Sequence, residues 1–413
     1  MSEKNRWRFG RRRITAALPC DAAQEPDDSR HAHELAGRPA GPGQTLMPSE
    51  DPPNTPTIVA RPPSSICIIR LSAIGDTCHV VPVVHTLQRA WPSTRLTWII
   101  GRAEARLMTL LPGVEFITID KRAGLRALPA LRSALAGRRF EILLHMQLSL
   151  RASAVSLAVR ARRRLGFDRA RARELQWLFT NERIAPRVDE HVLDSFLGFL
   201  SALGLPREPL EWQLPLPEEA RAYAQSLIPD AQSTLIVSPC SSHAARNWRP
   251  ERYAAVIEHA VRRHGMRVLL CGGPSVLERE MGGAIERMVQ VPLVNQIGRD
   301  TLPQMLALLA RATVLLSPDS GPVHMATMVQ TPVIGLYAAT RLQRVGPYSS
   351  RQWSVDRFAQ AARQFRGCEP GDLPWHRKIE LPGVMDLIEV SAVCERLDAL
   401  LAAVSGAPAR MRT

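Results

Sequence analysis

The sequence predicts an α/β protein of two lobes facing a central cleft. Three observations carry this. Short apolar runs alternate with stretches of helical spacing in two separate series; a proline-rich break divides the series; and each series contains a turn that sets a carboxylate and an imidazole where a strand hands over to a helix. These turns are Gly75-Asp76-Thr77-Cys78-His79 and Asp319-Ser320-Gly321-Pro322-Val323-His324.

In the first series the runs at 66–71, 96–100, 114–119 and 141–146 predict buried parallel strands, and 79–90, 103–111 and 124–136 have helical spacing. Strands and helices of these lengths imply right-handed βαβ units. Pro206, Pro209, Pro215 and Pro217 mark a linker. The second series places strands at 234–239, 267–271, 291–295, 313–317 and 332–337, with helices at 250–264, 275–289, 301–311 and 321–329. A last helical stretch, Val384 to Leu401, is expected to pack back across the lobes, and 340–380, rich in Arg, Gly and Pro, carries no assignment. The boundaries are therefore a leader over 1–63, a first lobe over 64–208 and a second over 209–413.

The leader holds ten of the 33 prolines and no lasting period, the composition of a disordered segment. The apolar run after Arg13, Ile14 to Leu18, is shorter than the roughly 7 to 15 residues of a signal-peptide core, and no run reaches the ~18 of a membrane span, so a cytoplasmic protein is expected. Seven scattered cysteines, with no Cys-x-x-Cys pair, imply neither a disulfide framework nor a structural metal. The net charge of +14 lies almost wholly beyond the leader, and residues 121–173 carry fourteen Lys or Arg, Arg122 and Arg126 among them, against Glu141 and Asp168. Such a block calls for an anionic partner. With only 5% aromatic residues to interleave with it, that partner is not expected to be nucleic acid.

In the first turn Gly75 suits a bend and Asp76 falls near a helix N-cap. The residue serves equally as a cap or as chemistry facing the cleft, and His79 equally as a satisfied core histidine. In the second turn Asp319 or Ser320 can cap, Gly321 lets a ligand approach the backbone, and Pro322 suits a first helical turn. The unpaired N–H groups of such a helix start favour an anion, which makes a phosphate site with His324 one turn in. The segment Ser238 to Trp248 sets Ser241, Ser242 and Arg246 after a strand end, the hydroxyls and forked cation that a diphosphate needs. Cys271-Gly272-Gly273-Pro274 closes the next strand, followed by Glu278 and Glu280, either able to accept from a ribose hydroxyl. No Gly-x-Gly-x-x-Gly opens a lobe and no P-loop occurs, which argues against dinucleotide enzymes and P-loop enzymes.

Taken together, Ile68 to Asp76, Pro239 to Trp248, Gly272-Gly273-Pro274 and Ser317 to His324 resemble glycosyltransferase family 9, the lipopolysaccharide heptosyltransferases, over roughly 65–405. The resemblance implies a GT-B architecture of two Rossmann-like lobes. The first would bind the acceptor and the second ADP-L-glycero-D-manno-heptose, with inverting transfer and no cofactor or metal. By position, Asp76 would be the general base. Arg246 would face the diphosphate where the family usually has lysine, and Ser241 and Ser242 would lie beside it. Asp319 would hold the heptose, the helix start from Ser320 and Gly321 to His324 would face the diphosphate, Glu278 or Glu280 would meet the ribose, and Arg299, Asp300 and Thr301 would border the adenine. The acceptor, an anionic inner core at the cytoplasmic face of the inner membrane, would meet His79, Arg122 and Arg126.

Overall fold

Most of the apolar runs become buried parallel strands, because a strand covered by helices on both faces has no solvent side on which to alternate; the run at 114–119 instead forms the partly exposed edge of its sheet. The computed structural model describes residues 61–405. All but the last three residues of the expected leader lie outside that range.

In the first lobe β1 (Ser65–Ile69), β2 (Arg95–Gly101), β3 (Val114–Ile119), β4 (Phe140–His145), β5 (Ala161–Gly166) and β6 (Glu182–Arg183) are joined by α1 (Ile74–Ala90), α2 (Arg102–Met108), α3 (Leu128–Ala134) and α4 (Leu150–Ser156) and followed by α5 (Val192–Ala202). An irregular stretch at 205–217 coincides with the four prolines and runs along α1, where His85 Nε2 bonds the Gln213 carbonyl at 2.8 Å. The second lobe opens with α6 (Glu218–Leu227). It then contains β7 (Thr234–Val237), α7 (Pro250–His264), β8 (Arg267–Leu270), α8 (Val276–Met288), β9 (Val294–Asn295), α9 (Leu302–Arg311), β10 (Val314–Pro318), α10 (Gly321–Met328), β11 (Val333–Tyr337), α11 (Leu342–Val345), β12 (Val355–Asp356), α12 (Phe358–Ala361) and α13 (Val390–Ser405).

The first sheet has the order β3-β2-β1-β4-β5-β6 and the second β12-β11-β10-β7-β8-β9, all neighbours parallel. Counted from its own first strand, the second sheet repeats the order of the first. This is the doubly wound arrangement, whose direction of winding reverses between the first and fourth strands and leaves a crevice at their carboxyl ends. Both reversal points, after β1 and β4 and after β7 and β10, open onto one cleft. One continuous apolar core joins the lobes, running from Val80, Val83 and Leu87 on α1 through Leu197 and Leu200 on α5 to Met305 and Leu308 on α9 and Val323 and Ala326 on α10.

Three expectations need correction. The stretch 124–136 is not one helix: Gly124, with φ 56°, breaks a 3-10 turn at Lys121–Ala127 before α3 begins. The last helix begins at Val390 and packs on α7, β11 and β12 within its own lobe, because Val393, Leu397 and Leu400 face the core of the second sheet. The unassigned segment makes the crossing instead. Tyr348 Oη donates to Asp194 at 2.9 Å, Trp375 Nε1 to the Glu190 carbonyl at 2.8 Å, and His191 Nε2 to the Gly346 carbonyl at 3.0 Å, its Nδ1 accepting from Leu193. Finally, much of the basic block is structural. The strand β5 is Ala-Arg-Arg-Arg-Leu-Gly, which no apolar run reveals. Arg163 forks onto Glu182, Arg164 bonds the carbonyls of Ser156, Val159 and Phe179, Arg171 bridges Asp168 and Glu190, and Arg138 pairs with Glu115.

Candidate active site

The cleft between the lobes has a volume of about 1740 Å³. A single small-molecule pocket occupies roughly 300 to 1,000 Å³, so the space suits two substrates at once. Its floor is where the two turns meet. A Cβ on Gly75 would lie 2.3 Å from Cδ2 of His324, and one on Gly321 would lie 3.6 Å from Ile74. Gly75 is therefore needed for close approach of the other lobe rather than for the bend expected of it. The N-termini of α1 and α10 both open at this point.

On the first-lobe wall, Asp76 is the third residue of α1 and reaches back to the backbone N–H of Ala73 at 3.3 Å with Oδ2. The same oxygen receives the Arg70 guanidinium, which is itself anchored on the Met146 carbonyl at 2.7 Å. Oδ1 accepts no hydrogen bond from a described residue. Asp76 is thus a cap and a cleft-lining carboxylate with one oxygen free. Gln147, following β4, braces the loop from below by accepting from Leu71 N at 2.5 Å.

His79 does not line the cleft. It is 1% exposed and sits edge-on to His324 (4.6 Å between ring centroids) and His191 (5.4 Å), with neither ring nitrogen bonded to a described residue. Burial, then the neighbouring imidazoles, hold it well below the usual histidine range. It is an apolar packing element between the lobes, not an acceptor ligand. Arg122 and Arg126 are exposed on the 3-10 turn outside the cleft lining.

On the second-lobe wall Ser241, Ser242, Arg246, Glu278, Asp300, Thr301, Asp319, Ser320, Gly321 and His324 all border the cleft; Glu280 does not. Of the two glutamates Glu278 is the one at the cleft, because helix geometry folds the third residue of α8 back over the turn. It accepts from Gly273 N at 2.8 Å and from the Ser275 hydroxyl at 2.6 Å. Asp300 is half-buried, and desolvation, reinforced by the charge of Glu278, pushes its carboxyl up to about 6; its Oδ2 has no described partner. Thr301 caps α9, accepting from Gln304 N at 3.4 Å. Ser320 occupies the N-cap position of α10 without a capping bond, its hydroxyl meeting that of Ser317 at 2.8 Å. That leaves the helix start open to an anion. Arg246 is held by Glu380 at 2.6 Å and by Asp319 at 3.2 Å, so it enters the cleft already oriented by two carboxylates.

The sequence reading missed the cleft residues of the unassigned segment: Arg344, Trp375, His376 and Lys378, with Glu380 behind them. The signal available was only local, a cluster of Arg, His and Lys among turn residues. Partial burial, then Arg246, hold the Lys378 ammonium below its usual range.

Two doubly wound lobes whose reversal points share one cleft, with a free carboxylate on one wall and an open helix start on the other, define a GT-B-type glycosyltransferase. Residues 128–370 match glycosyltransferase family 9 (heptosyltransferase). The chain is 37% identical over 338 residues to the lipopolysaccharide core heptosyltransferase OpsX of Haemophilus influenzae, covering 82% of this chain and 97% of that one. Solved structures share the fold at 19% identity: a family 9 glycosyl transferase from Veillonella parvula (TM-score 0.66, covering 82% of this chain and 97% of that one) and Escherichia coli heptosyltransferase WaaC with ADP (TM-score 0.64, covering 81% and 99%). The chain belongs to glycosyltransferase family 9 and is a glycosyltransferase of the heptosyltransferase type.

Proposed function

We propose that the enzyme transfers a heptose, with inversion, from ADP-L-glycero-D-manno-heptose to a hydroxyl of the lipopolysaccharide inner core. The observation that carries this is the pairing across one cleft of Asp76, with Oδ1 unengaged, and the uncapped start of α10 beside Arg246. A sugar hydroxyl is a poor nucleophile, so its oxygen attacks the anomeric carbon as Asp76 Oδ1 takes the proton. The anomeric C–O bond to the diphosphate breaks, and ADP leaves with the bonding electrons. Inversion follows from one in-line displacement.

The departing charge falls on the N–H groups at the start of α10 and on Arg246, which are oriented before reaction, and on Lys378 beside them; together they supply the neutralisation otherwise left to a divalent cation. Asp319 would hold heptose hydroxyls, Ser241 and Ser242 the phosphates, Glu278 the ribose, and Asp300 with Thr301 the adenine end. OpsX of Haemophilus influenzae, named for action on the lipopolysaccharide core, supports the acceptor class. Among the described residues no helix is long and apolar enough to cross a membrane. An enzyme that meets its lipid acceptor from the cytoplasmic face of the inner membrane fits this reading.

The test is acceptor-dependent ADP release from ADP-heptose and Kdo-lipid A, with and without EDTA, and the anomeric configuration of the product by NMR. Absence of release with every inner-core acceptor refutes heptose transfer. Loss of release in EDTA refutes metal independence alone.

A further inference from the structure

We infer that Arg173, Arg344 and His376 form a second anion site in the cleft, separate from the diphosphate site, which binds an acid group of the acceptor beside its reacting hydroxyl. The inference rests on the transfer reaction proposed above and names a determinant of its acceptor specificity.

The three side chains line the cleft from both lobes: Arg173 from the loop after β5, Arg344 from α11, and His376 from the segment after α12. None forms a hydrogen bond or ion pair with another described residue through its side chain. Of the other cleft-lining arginines, Arg70 pairs with Asp76, Arg171 with Asp168 and Glu190, Arg187 with Glu190 and Arg246 with Asp319 and Glu380, while Arg106 stands exposed on α2. Arg344 is half-buried, and a guanidinium left without a partner there loses hydration with no compensating bond, whereas Arg173 and His376 are exposed where they line the cleft. Burial weakens the charged form of Arg344, as it does that of Arg173. The groups also repel one another. Arg173 feels the charges of Arg377 and Arg344, offset in part by Glu174, and burial, then Arg173, Arg344 and Arg377, push the His376 imidazole down to about 4. A local excess of positive charge of this kind is relieved by an anion.

Position separates this site from the nucleotide. The carboxylates whose charge acts on Arg344 are Asp76 and Asp319, at the meeting of the turns, whereas Asp300 on the nucleotide wall is influenced by Glu278. Arg246 is fixed from behind by Glu380 and directed by Asp319, so the donor already has its own cation. An anion held between Arg173, on the first lobe, and Arg344, on the second, therefore bridges the two walls of the cleft within the field of Asp76 and Asp319. Two guanidiniums offer planar forks that match a carboxylate or a phosphomonoester.

The decisive experiment uses the full chain loaded with ADP. The pH titration of the His376 ring protons is followed by NMR as free Kdo, a sugar acid, or its neutral methyl ester is added. Occupation by the acid raises the His376 pKa by about one unit or more, the ester leaves it in place, and Arg344→Gln abolishes the response. In steady-state assays Arg344→Gln raises KM for Kdo-lipid A about ten- to a hundred-fold, the range lost with a hydrogen bond to a charged group, and leaves ADP affinity within about twofold. Arg344→Lys recovers part of the loss. A parallel fall in ADP affinity assigns these residues to the donor diphosphate and overturns the inference, as does an equal response to acid and ester. If no heptose transfer occurs with any acceptor, the functional reading fails. The NMR titration with Kdo and with inorganic phosphate then decides the anion site by itself: a response to either upholds it, and none overturns it.

Discussion

Replacing Gly75 by alanine adds one carbon at the point where the two lobes touch. That carbon would stand 2.3 Å from Cδ2 of His324, more than 1 Å inside ordinary van der Waals contact at 3.4 Å or beyond. The ring cannot easily swing aside, because it is 8% exposed and His79 lies against it at 4.6 Å. The backbones of α1 and α10 must separate instead. Overpacking of this kind costs about 1–3 kcal/mol. Separation also moves Asp76 away from Asp319 and Arg246, and a misplacement of about 1 Å at a reacting centre can lower turnover roughly a hundred-fold. We expect Gly75→Ala to lower the melting temperature by several degrees and kcat by one to two orders of magnitude. Calorimetry and initial rates measure the two effects. His324→Ala removes the ring that the new carbon strikes, so in that background Gly75→Ala should cost less than about 0.5 kcal/mol. Wild-type melting and turnover in Gly75→Ala, or an undiminished stability cost in the His324→Ala background, would falsify the contact argument.

Asp76→Asn should leave ADP affinity, read by calorimetry, within about twofold while kcat falls ~10²–10⁴-fold; retained turnover would reduce Asp76 to a helix cap. Arg246→Ala should weaken ADP binding about ten- to a hundred-fold, and unchanged affinity would remove Arg246 from the diphosphate. Asp300 has a carboxyl raised from 3.8 to about 6, so the native state binds its proton more tightly than the unfolded chain does. Its contribution is fully present below pH 3.8 and is lost as pH rises through 6. The difference corresponds to about 3 kcal/mol, reduced to roughly 1–2 kcal/mol by partial solvation. Asp300→Asn should therefore raise the melting temperature at pH 7.5 by a few degrees, leave it unchanged near pH 4, and weaken ADP binding; equal melting of both proteins at pH 7.5 counts against the burial penalty. The histidine seam has the opposite sign. Burial pushes His191 from 6.5 down to about 3 and lowers His79 and His324, so this stability is present above pH 6.5 and lost as pH falls toward 3. Urea midpoints should fall with acidification in that window, and His191→Asn should flatten the slope.

Much of the fold was legible along the chain because its determinants are local. The runs at 66–71 and 96–100 could be seen since apolar side chains are required on both faces of a central strand, and the helix at 250–264 is matched by α7, with proline at its first position and left-handed Gly265 (φ 60°) after its end. The strand β5 could not be seen, because Arg163 and Arg164 are satisfied by Glu182 and by carbonyls of the flanking segments, which its composition does not reveal. In the site, both carboxylate-imidazole turns stood out by residue type and spacing. Glu278 could not be separated from Glu280, since the difference is which of two neighbouring residues a helix start folds back over Gly273.

By itself the sequence determined two series of strands and helices, a cleft-facing turn in each, and membership of one glycosyltransferase family. Only the tertiary structure decided that the two turns touch, that Gly75 is small because His324 is there, that His79 is packing, and that Arg344, His376 and Lys378 face the same cleft as Asp76. The physical reason is range. Propensity, caps and apolar periodicity act over a few residues and leave their pattern in the order of the chain. The close packing of Gly75 on His324 and the lining of one cleft depend on distances between residues more than two hundred positions apart, which are fixed only when the shared core brings α1 against α10.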